Sequence, residues 1–252
     1  GQAVYSPWVL KAYDWWVLGF SNRMLWRCPT SRLLRHFESG LSDLHLDVGV
    51  GSGYYPAHAR FPSDRPAITL MDLNPNALAH AYDRLEGHDV QVVRADVLKP
   101  LGLTGLMPFR SVSCFYLLHC LPGQIREKAV VFDHLLPLMA EGAVLMGATL
   151  VEHGSRLGLL ARALMRFYNR KRIFSNRDDT EGALKAALEA RGDARKVILV
   201  PESAHGTNPA SAHILTQRVP REWFSFVFSL KQTGVPIGFA LAGLLLPLDG
   251  VD

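Results

Sequence analysis

The sequence has few cysteines, and none of them follows the spacing that cysteine chemistry requires. Its 252 residues include 3 cysteines, which is an odd number, and no C-x-x-C pair. This usage argues against a disulfide framework and a zinc site, so we expect reduced thiols, no bound metal and a cytoplasmic location. The N-terminal residues also lack a charged stretch followed by an apolar one, so we expect no secretory signal peptide.

Charged residues are also scarce. They make up 20% of the chain, the formal net charge is +4, and 48% of the residues are hydrophobic. This balance argues against wholesale disorder and is sufficient for a full hydrophobic core. Basic residues gather loosely between Arg156 and Arg177, without a tail or a repeat. We interpret them as a solvated helix face and expect no nucleic-acid partner.

The segment His45–Gly53 lacks the marks of the common phosphate-binding loops. It contains no Lys or Arg, which excludes a Walker loop. Tyr54 or Pro56 stands where a dinucleotide-binding fingerprint has its third glycine, which disfavours a nicotinamide oxidoreductase. What remains is an apolar strand that ends in an acid and is followed by alternating glycines: Asp47, Gly49, Gly51 and Gly53. The pattern predicts a loop that approaches a nucleoside without a phosphate chain.

Strand-like and helix-like segments alternate along the chain. Short apolar runs predict strands at Leu44–Val48, Ala67–Met71, Val90–Val93, Val112–Leu117, Ala143–Met146 and Lys196–Val200. Helical periodicity predicts helices between them, including one that Asn74 caps and Pro75 begins, and one over 124–139. This alternation predicts a Rossmann-like, doubly wound α/β fold, with a mostly parallel sheet and helices on both faces.

Acidic residues lie at or near the ends of the first three predicted strands. They are Asp47, Asp72 and Asp96. In an open α/β sheet, ligands bind beyond the carboxyl ends of the strands, where these side chains meet. A carboxylate at Asp72 suits the two hydroxyls of a ribose, and one at Asp96 suits the exocyclic amine of adenine. A single such acid would be interpreted as a helix cap, whereas the ordered set behind a glycine loop predicts a nucleoside site.

Together these motifs resemble those of the class I S-adenosylmethionine-dependent methyltransferases. The matching segments are Asp47–Gly53, Asp72–Asn74, Ala95–Val97 and Leu117–Leu121. The resemblance extends from Tyr5 to Val200. It implies S-adenosylmethionine as the cofactor and a seven-stranded sheet whose last strand is antiparallel, for which 214–219 is the candidate.

The resemblance also implies roles for individual residues. Asp72 would hold the ribose, Asp96 would lie near the adenine, and the glycine loop would face the methionine part of the cofactor. The residues that we expect to bind the cofactor are Asp47, Gly49, Gly51, Gly53, Asp72, Leu73, Asp96 and Val97.

Methyl transfer from a sulfonium is an in-line displacement, which requires alignment and exclusion of water rather than a catalytic triad. His119 follows the fourth predicted strand at the expected edge of the sheet. We interpret it as a candidate catalytic base or, equally, as a residue that lines the site. Aromatic residues near the N-terminus, among them Tyr5 and Tyr13, are secondary candidates for lining the substrate pocket.

The two ends of the chain depart from this pattern. We expect a helical aromatic lid over residues 1–35, the methyltransferase domain over 36–219 and a C-terminal extension over 220–252. Pro201–Ala212 resembles a short signature of pyridoxal-phosphate-dependent glycine decarboxylases, which we interpret as chance or as a tail of foreign origin. Gln232–Leu248 is uncharged and is interrupted by proline and glycines, so we expect a buried or homo-oligomer-forming segment rather than a membrane span.

The sequence thus predicts an enzyme, namely an S-adenosylmethionine-dependent methyltransferase that acts on a small-molecule acceptor. Two alternatives remain open. A methyltransferase that acts on RNA or protein would show a salt-sensitive affinity for RNA. A non-catalytic regulatory module would bind the cofactor without consuming its methyl group.

Overall fold

The computed structural model describes residues 29–103, 108–151, 159–191, 194–197, 200–201, 211–213 and 224–231. The strands are β1 (Leu44–Val48), β2 (Ala67–Asp72), β3 (Asp89–Arg94), β4 (Phe109–Phe115), β5 (Met139–Thr149), β6 (Ala194–Val197), β7 (Val200–Pro201), β8 (Ser211–His213) and β9 (Phe224–Lys231). The helices are α1 (Thr30–Ser39), α2 (Tyr54–His58), α3 (Pro75–Arg84), α4 (Ile125–Lys128), α5 (Val130–Leu135), α6 (Leu159–Arg170) and α7 (Glu181–Glu189). Short 3-10 turns cover Leu118–Cys120 and Leu136–Leu138.

Five parallel strands form the part of the sheet that carries the glycine loop. Their order is β3-β2-β1-β4-β5. The chain passes from β3 back across the sheet to β4, so the strand order reverses between β1 and β4. In open α/β sheets, ligands bind at such a switch point, beyond the carboxyl ends of the strands. The predicted Rossmann-like α/β fold with a parallel sheet is confirmed.

The sheet continues beyond β5 in a way that the sequence analysis did not anticipate. β9 pairs with β5 in parallel, β8 pairs antiparallel with both β9 and β7, and β6 runs parallel to β9. The described strands therefore form a 9-stranded sheet rather than the expected seven-stranded one. β9 has Phe at every second position over 224–228, which favours a strand, but the sequence analysis assigned this run to a C-terminal extension. The candidate antiparallel strand at 214–219 lies outside the described residues.

Helices cover the sheet through buried apolar side chains. α1 contributes Leu33 and Phe37 to the largest hydrophobic cluster, which also includes residues of β1, β4 and β5. α3 packs Leu78 and Ala81 in a cluster with β2. α6 buries an apolar face that includes Tyr168. Each such large side chain stabilises the fold by roughly 1.5–3 kcal/mol when fully buried, so the strand ends that carry the site are firmly held.

Local signals explain where some of the helices begin and end. Asn74 Oδ1 accepts a hydrogen bond from Asn76 N at 2.9 Å and Pro75 begins α3, as predicted. The predicted helix over 124–139 instead divides into α4, α5 and a 3-10 turn. Pro137 accounts for the last of these breaks, because proline lacks the N–H that would continue the helix.

Several predictions concern residues outside the described ranges. These are Tyr5, Tyr13, most of the expected lid, and the C-terminal segments over 202–210 and 232–252. α1 belongs partly to the expected 1–35 segment, and it packs on the core of the domain. Among the helices that the structure describes, none is both long and apolar enough to cross a membrane.

Candidate functional site

The loop after β1 turns through three glycines in the left-handed conformation. Gly49, Gly51 and Gly53 have φ values of 74°, 53° and 68°. A Cβ atom at Gly49 would lie 2.8 Å from Leu117 Cδ1, and one at Gly53 would lie 2.7 Å from Ala81 Cβ. Gly49 and Gly53 therefore serve the fold itself, because they allow the loop to approach the segment after β4 and helix α3 closely.

Gly51 differs from the other two glycines because open space lies beside it. A Cβ atom at this position would have no described heavy atom within 4 Å. The backbone N–H of Gly51 points to Asp72 Oδ2 at 3.5 Å. The space in front of Gly51, bordered by a carboxylate, fits a bound nucleoside of the kind that the sequence predicts.

Asp72 ends β2 directly beside the glycine loop. Its Oδ1 accepts a hydrogen bond from Asn74 N at 2.8 Å. Burial raises the pKa of Asp72 above its ordinary value, while hydrogen bonds from the backbone of Asn74, Gly51 and Leu73 lower it. The side chain is half-buried. A carboxylate has about four acceptor positions, so Asp72 retains capacity for the hydroxyls of a ligand.

Asp47 lies beneath the same loop, on β1. It is 4% exposed, and its Oδ1 accepts a hydrogen bond from Ser113 Oγ at 2.5 Å. The pKa of Asp47 is raised to about 7, because burial outweighs the opposing hydrogen bond from Ser113 and the negative charge of Asp72 adds to the rise. The structure thus brings Asp47, Gly51 and Asp72 together at one edge of the sheet, as the motif spacing predicts.

Asp96, Leu73 and Val97 lie around the ends of β2 and β3. Asp96 Oδ1 accepts a hydrogen bond from Leu98 N at 3.1 Å, and Oδ2 lies 3.6 Å from Lys99 Nζ. Val97 is buried, whereas the Leu73 side chain is 38% exposed. Asp96 therefore stabilises its own turn but remains partly accessible, and Leu73 offers an apolar surface next to Asp72.

His119 lies in the 3-10 turn after β4, at the predicted edge. Its ring is 3% exposed, and Nδ1 lies 3.4 Å from Thr149 Oγ1 at the end of β5. The Phe174 ring packs edge-on against it, with 4.6 Å between the ring centroids. Burial and, to a smaller extent, the positive charge of Lys128 lower the pKa of His119 to about 3. His119 is therefore neutral near pH 7 and has a reduced affinity for a proton.

Tyr116 is a residue of this edge that the sequence analysis missed. It directly follows β4 and has a φ value of 59°, which is uncommon for a residue with a bulky side chain. Its backbone N donates a hydrogen bond to Ala148 O at 2.6 Å. Its ring centroid lies 5.9 Å from that of His119 and 6.4 Å from that of Tyr55. Strained backbone of this kind clusters at functional sites, but a positive φ leaves no mark in a single sequence.

A cavity of about 640 Å³ opens next to the 3-10 turn that carries His119. Its lining includes Cys120, Gln124, Asn169, Arg172, Phe174 and Arg177. The size lies within the range of pockets for small organic molecules. Because Phe174 lines the cavity and also packs on His119, the cavity adjoins the carboxyl edge of β4.

Comparisons with known proteins identify what the chain is similar to. No protein-family model matches the chain. The chain is 39% identical over 201 residues to a physcion biosynthesis cluster O-methyltransferase from Aspergillus chevalieri, a match that covers 79% of this chain and 90% of that protein. It is 38% identical over 188 residues to a demethylluteothin O-methyltransferase from Streptomyces thioluteus, covering 75% and 81% respectively. A solved structure of a possible exported protein from Bordetella parapertussis has a similar fold, with a TM-score of 0.51 and 16% identity over 71% of this chain and 63% of that one.

Proposed function

The chain belongs to the class I S-adenosylmethionine-dependent methyltransferases, and on that premise we propose that it methylates a hydroxyl oxygen of a small molecule. Bound S-adenosylmethionine supplies an activated methyl group on a sulfonium. The similarity to O-methyltransferases supports oxygen as the acceptor atom. The single observation that carries a competent cofactor site is the open face of Gly51 beside the Asp72 carboxylate.

Within this proposal, the carboxyl ends of three strands hold the cofactor. Asp72 accepts hydrogen bonds from the ribose hydroxyls, and the loop around Gly51 lies along the methionine part. Asp96 accepts from the adenine amine, while Leu73 and Val97 supply apolar contacts to the base. Acidic acceptors suit these groups because hydroxyls and amines are donors, and charge-assisted hydrogen bonds are the stronger kind.

The chain's own contribution to catalysis is alignment and exclusion of water. We assign His119 to the lining of the site, where its buried, neutral ring supports Phe174, which lines the acceptor cavity. A stronger role as catalytic base is less consistent with burial, because a ring whose pKa is lowered to about 3 takes up a proton poorly. Formation of the carbon–oxygen bond would break the carbon–sulfur bond of the sulfonium and leave a neutral thioether, and the proton of the acceptor hydroxyl would pass to bulk water.

We place the acceptor in the cavity beside Phe174, which opens next to His119. Polar side chains of Gln124 and Asn169 line this cavity and suit an oxygen-rich molecule. The aromatic segment over residues 1–35, with Tyr5 and Tyr13, remains our proposed lid over the acceptor, and 36–219 remains the proposed catalytic domain. β9, at Phe224–Lys231, then lies within the extension over 220–252.

Calorimetric titration with S-adenosylmethionine, and separately with NADH, tests the proposal. We expect micromolar binding of S-adenosylmethionine only, and at least a tenfold weakening, about 1.4 kcal/mol, in Asp72→Ala. Asp83→Ala, which alters an exposed acid of α3, is the matched control and should bind normally. A folded chain that binds no S-adenosylmethionine would contradict the proposal. Binding without methylation of any hydroxyl in a panel of phenols and enols would instead favour the non-catalytic module.

A further inference from the structure

A chain of hydrogen bonds connects Asp47 with the opposite end of β1 through the interior of the sheet. Ser113 Oγ donates to Asp47 Oδ1, and His45 Nε2 lies 3.1 Å from Ser113 Oγ. On the other side of the ring, His45 Nδ1 lies 2.8 Å from Ser111 Oγ. Ser111 Oγ in turn accepts a hydrogen bond from Ser42 N at 3.0 Å. The sequence analysis assigned no role to His45, Ser111 or Ser113.

The pairing of two strands builds this chain. β1 and β4 run in parallel, with His45 opposite Ser111 and Asp47 opposite Ser113. Residues two apart on a strand point to the same side of a sheet, so all four side chains lie on one face. His45, Ser111 and Ser113 are each 0% exposed. The His45 ring also packs edge-on against Phe37, at 5.4 Å between centroids, so water has no access to the chain from that side.

The hydrogen bonds have a single allowed direction when Asp47 is ionised. A carboxylate only accepts, so Ser113 must donate to it. The Ser113 oxygen then accepts a hydrogen bond from His45 Nε2. Burial lowers the pKa of His45 to about 3, so the ring is neutral and carries one proton. With that proton on Nε2, Nδ1 must accept from the hydroxyl of Ser111.

The charge balance around Asp47 indicates what its second oxygen faces. Asp47 and Asp72 repel each other electrostatically, which raises the pKa of Asp47. In the part of the chain that the structure describes, neither carboxylate forms an ion pair with Lys or Arg. A buried acid beside a half-buried one, without a counter-charge among the described residues, favours a cationic ligand, because opposite charge within a few ångströms favours the ionised form of the acid.

We infer that His45 and Ser113 are positioning residues: they fix Asp47 Oδ1, and so hold Oδ2 toward the methionine part of the cofactor, which the proposed function places along this loop. This inference rests on the proposed function, since it requires that the chain bind this cofactor. The chain of hydrogen bonds holds the carboxylate in one orientation, and a fixed acceptor loses less conformational entropy when the ligand binds.

A pair of ligands separates positioning from general damage to the site. S-adenosylmethionine carries the ammonium group, whereas 5′-methylthioadenosine has the same nucleoside and lacks the amino-acid part. We expect Ser113→Ala to weaken binding of S-adenosylmethionine about tenfold and to change binding of 5′-methylthioadenosine less than about twofold. Ser111→Ala is the matched control, because it makes the same change on the same strand but leaves the Ser113–Asp47 bond in place. Its effect on either ligand should stay below about threefold.

Equal weakening of both ligands in Ser113→Ala would overturn the positioning role while leaving the proposed function intact. If the wild-type chain binds neither ligand, the proposed function itself fails, and this inference fails with it. Ser113→Thr keeps the hydroxyl and suits a strand, so it should restore binding of S-adenosylmethionine. Where Ser113→Ala does not fold, nitrogen-15 NMR of wild-type histidine rings provides the test above pH 8. The inference requires the proton of His45 on Nε2, and a proton on Nδ1 would overturn it.

Discussion

Asp47 and Asp179 are both buried carboxyl groups at the edge of the site, but they differ in what neutralises them. Asp179 Oδ2 accepts a hydrogen bond from Lys128 Nζ at 2.5 Å, and both side chains are almost fully buried. Lys128 also donates to the carbonyl oxygen of Ser175. Asp47 Oδ1, in contrast, accepts from the neutral hydroxyl of Ser113. Among the residues that the structure describes, Asp179 has a counter-charge and Asp47 does not.

This difference distinguishes a carboxylate that stabilises the fold from one that binds a ligand. The Lys128–Asp179 ion pair joins α4 to the segment that precedes α7, and so fixes the segment that carries Phe174 against His119. A buried carboxylate without a cation costs stability, because burial disfavours its charge. Such a cost is typical of functional sites, where the missing partner is a ligand. The comparison therefore predicts that Lys128 and Asp179 serve stability, and that Asp47 serves the ligand.

The largest expected effect is the loss of stability on removing Lys128. Lys128→Met leaves Asp179 as a buried charge without a partner, which costs about 3–5 kcal/mol in the free energy of unfolding. Urea denaturation measures this value. Lys185→Met is the control, because it removes the half-exposed pair that Lys185 forms with Glu189 at 3.7 Å. That change should cost less than about 1 kcal/mol. Equal costs in the two variants would show that the buried pair does not stabilise the fold.

The glycines of the loop extend the comparison to the backbone. Gly53→Ala combines a left-handed conformation with a Cβ atom 2.7 Å from Ala81, so we expect it to destabilise the fold. The strain costs about 1–2 kcal/mol and the overpacking about 1–3 kcal/mol more. Gly51→Ala carries only the strain, but its methyl group enters the space that we assign to the cofactor. It should therefore weaken S-adenosylmethionine binding at least tenfold, about 1.4 kcal/mol.

Thermal denaturation and calorimetry on the same two samples measure both effects. Gly87→Ala is a control for strain, since Gly87 also has a positive φ and open space but lies away from the loop. It should match Gly51→Ala in stability and match the wild type in binding. Normal cofactor binding by Gly51→Ala would contradict the assignment of that space.

Features that short sequence motifs encode could be predicted, whereas contacts between distant residues could not. The glycine loop, Asp72 and the Asn74 cap are encoded in short runs, so their types and spacing predict their geometry, and β1 has the predicted bounds. The Lys128–Asp179 pair and the contacts of His45 with Ser111 and Ser113 join residues 51 to 68 positions apart. No local pattern indicates such contacts, because they depend on which strands and helices become neighbours.

Other features that the sequence analysis did not predict have different physical causes. The left-handed Tyr116 depends on the tertiary fold, which overrides the intrinsic preference of an aromatic residue. β9 has a clear strand pattern, but its place beside β5 follows from pairing between distant segments. Asp96 resembles Asp72 in sequence position, and only the structure reveals that its carboxylate also caps its own turn.

A smaller effect concerns the pH dependence of stability. Because burial raises the pKa of Asp47 from 3.8 to about 7, the folded state binds this proton more tightly than the unfolded state does. The resulting stabilisation is present at low pH and is lost as the pH rises through about 7. We therefore expect the free energy of unfolding of the wild type, relative to Asp47→Asn, to fall between about pH 4 and about pH 8. Urea denaturation at several pH values measures this difference.

The comparison with Asp47→Asn is needed because buried histidines act in the opposite direction. Burial lowers the pKa of His45 and His119 to about 3, so their contribution to stability is lost as the pH falls below 6.5. Both histidines remain in the variant, so their contributions largely cancel in the difference. A difference that does not change with pH would show that Asp47 is ionised normally, and that its surroundings do not reserve it for a cation.

The smallest expected effect is on catalysis by His119. We expect His119→Gln to lower kcat by less than about tenfold and to leave the shape of the pH–rate profile unchanged, because a ring with its pKa lowered to about 3 is neutral throughout the working range. His88→Gln, which replaces an exposed histidine outside the proposed site, is the control and should have wild-type kinetics. A loss of about 10²–10⁴-fold, together with the disappearance of a rate limb near neutral pH, is what a catalytic base would produce. That result would mean that the acceptor or cofactor raises the pKa of His119 on binding, and it would move His119 from the structural side of the comparison to the side that serves the ligand.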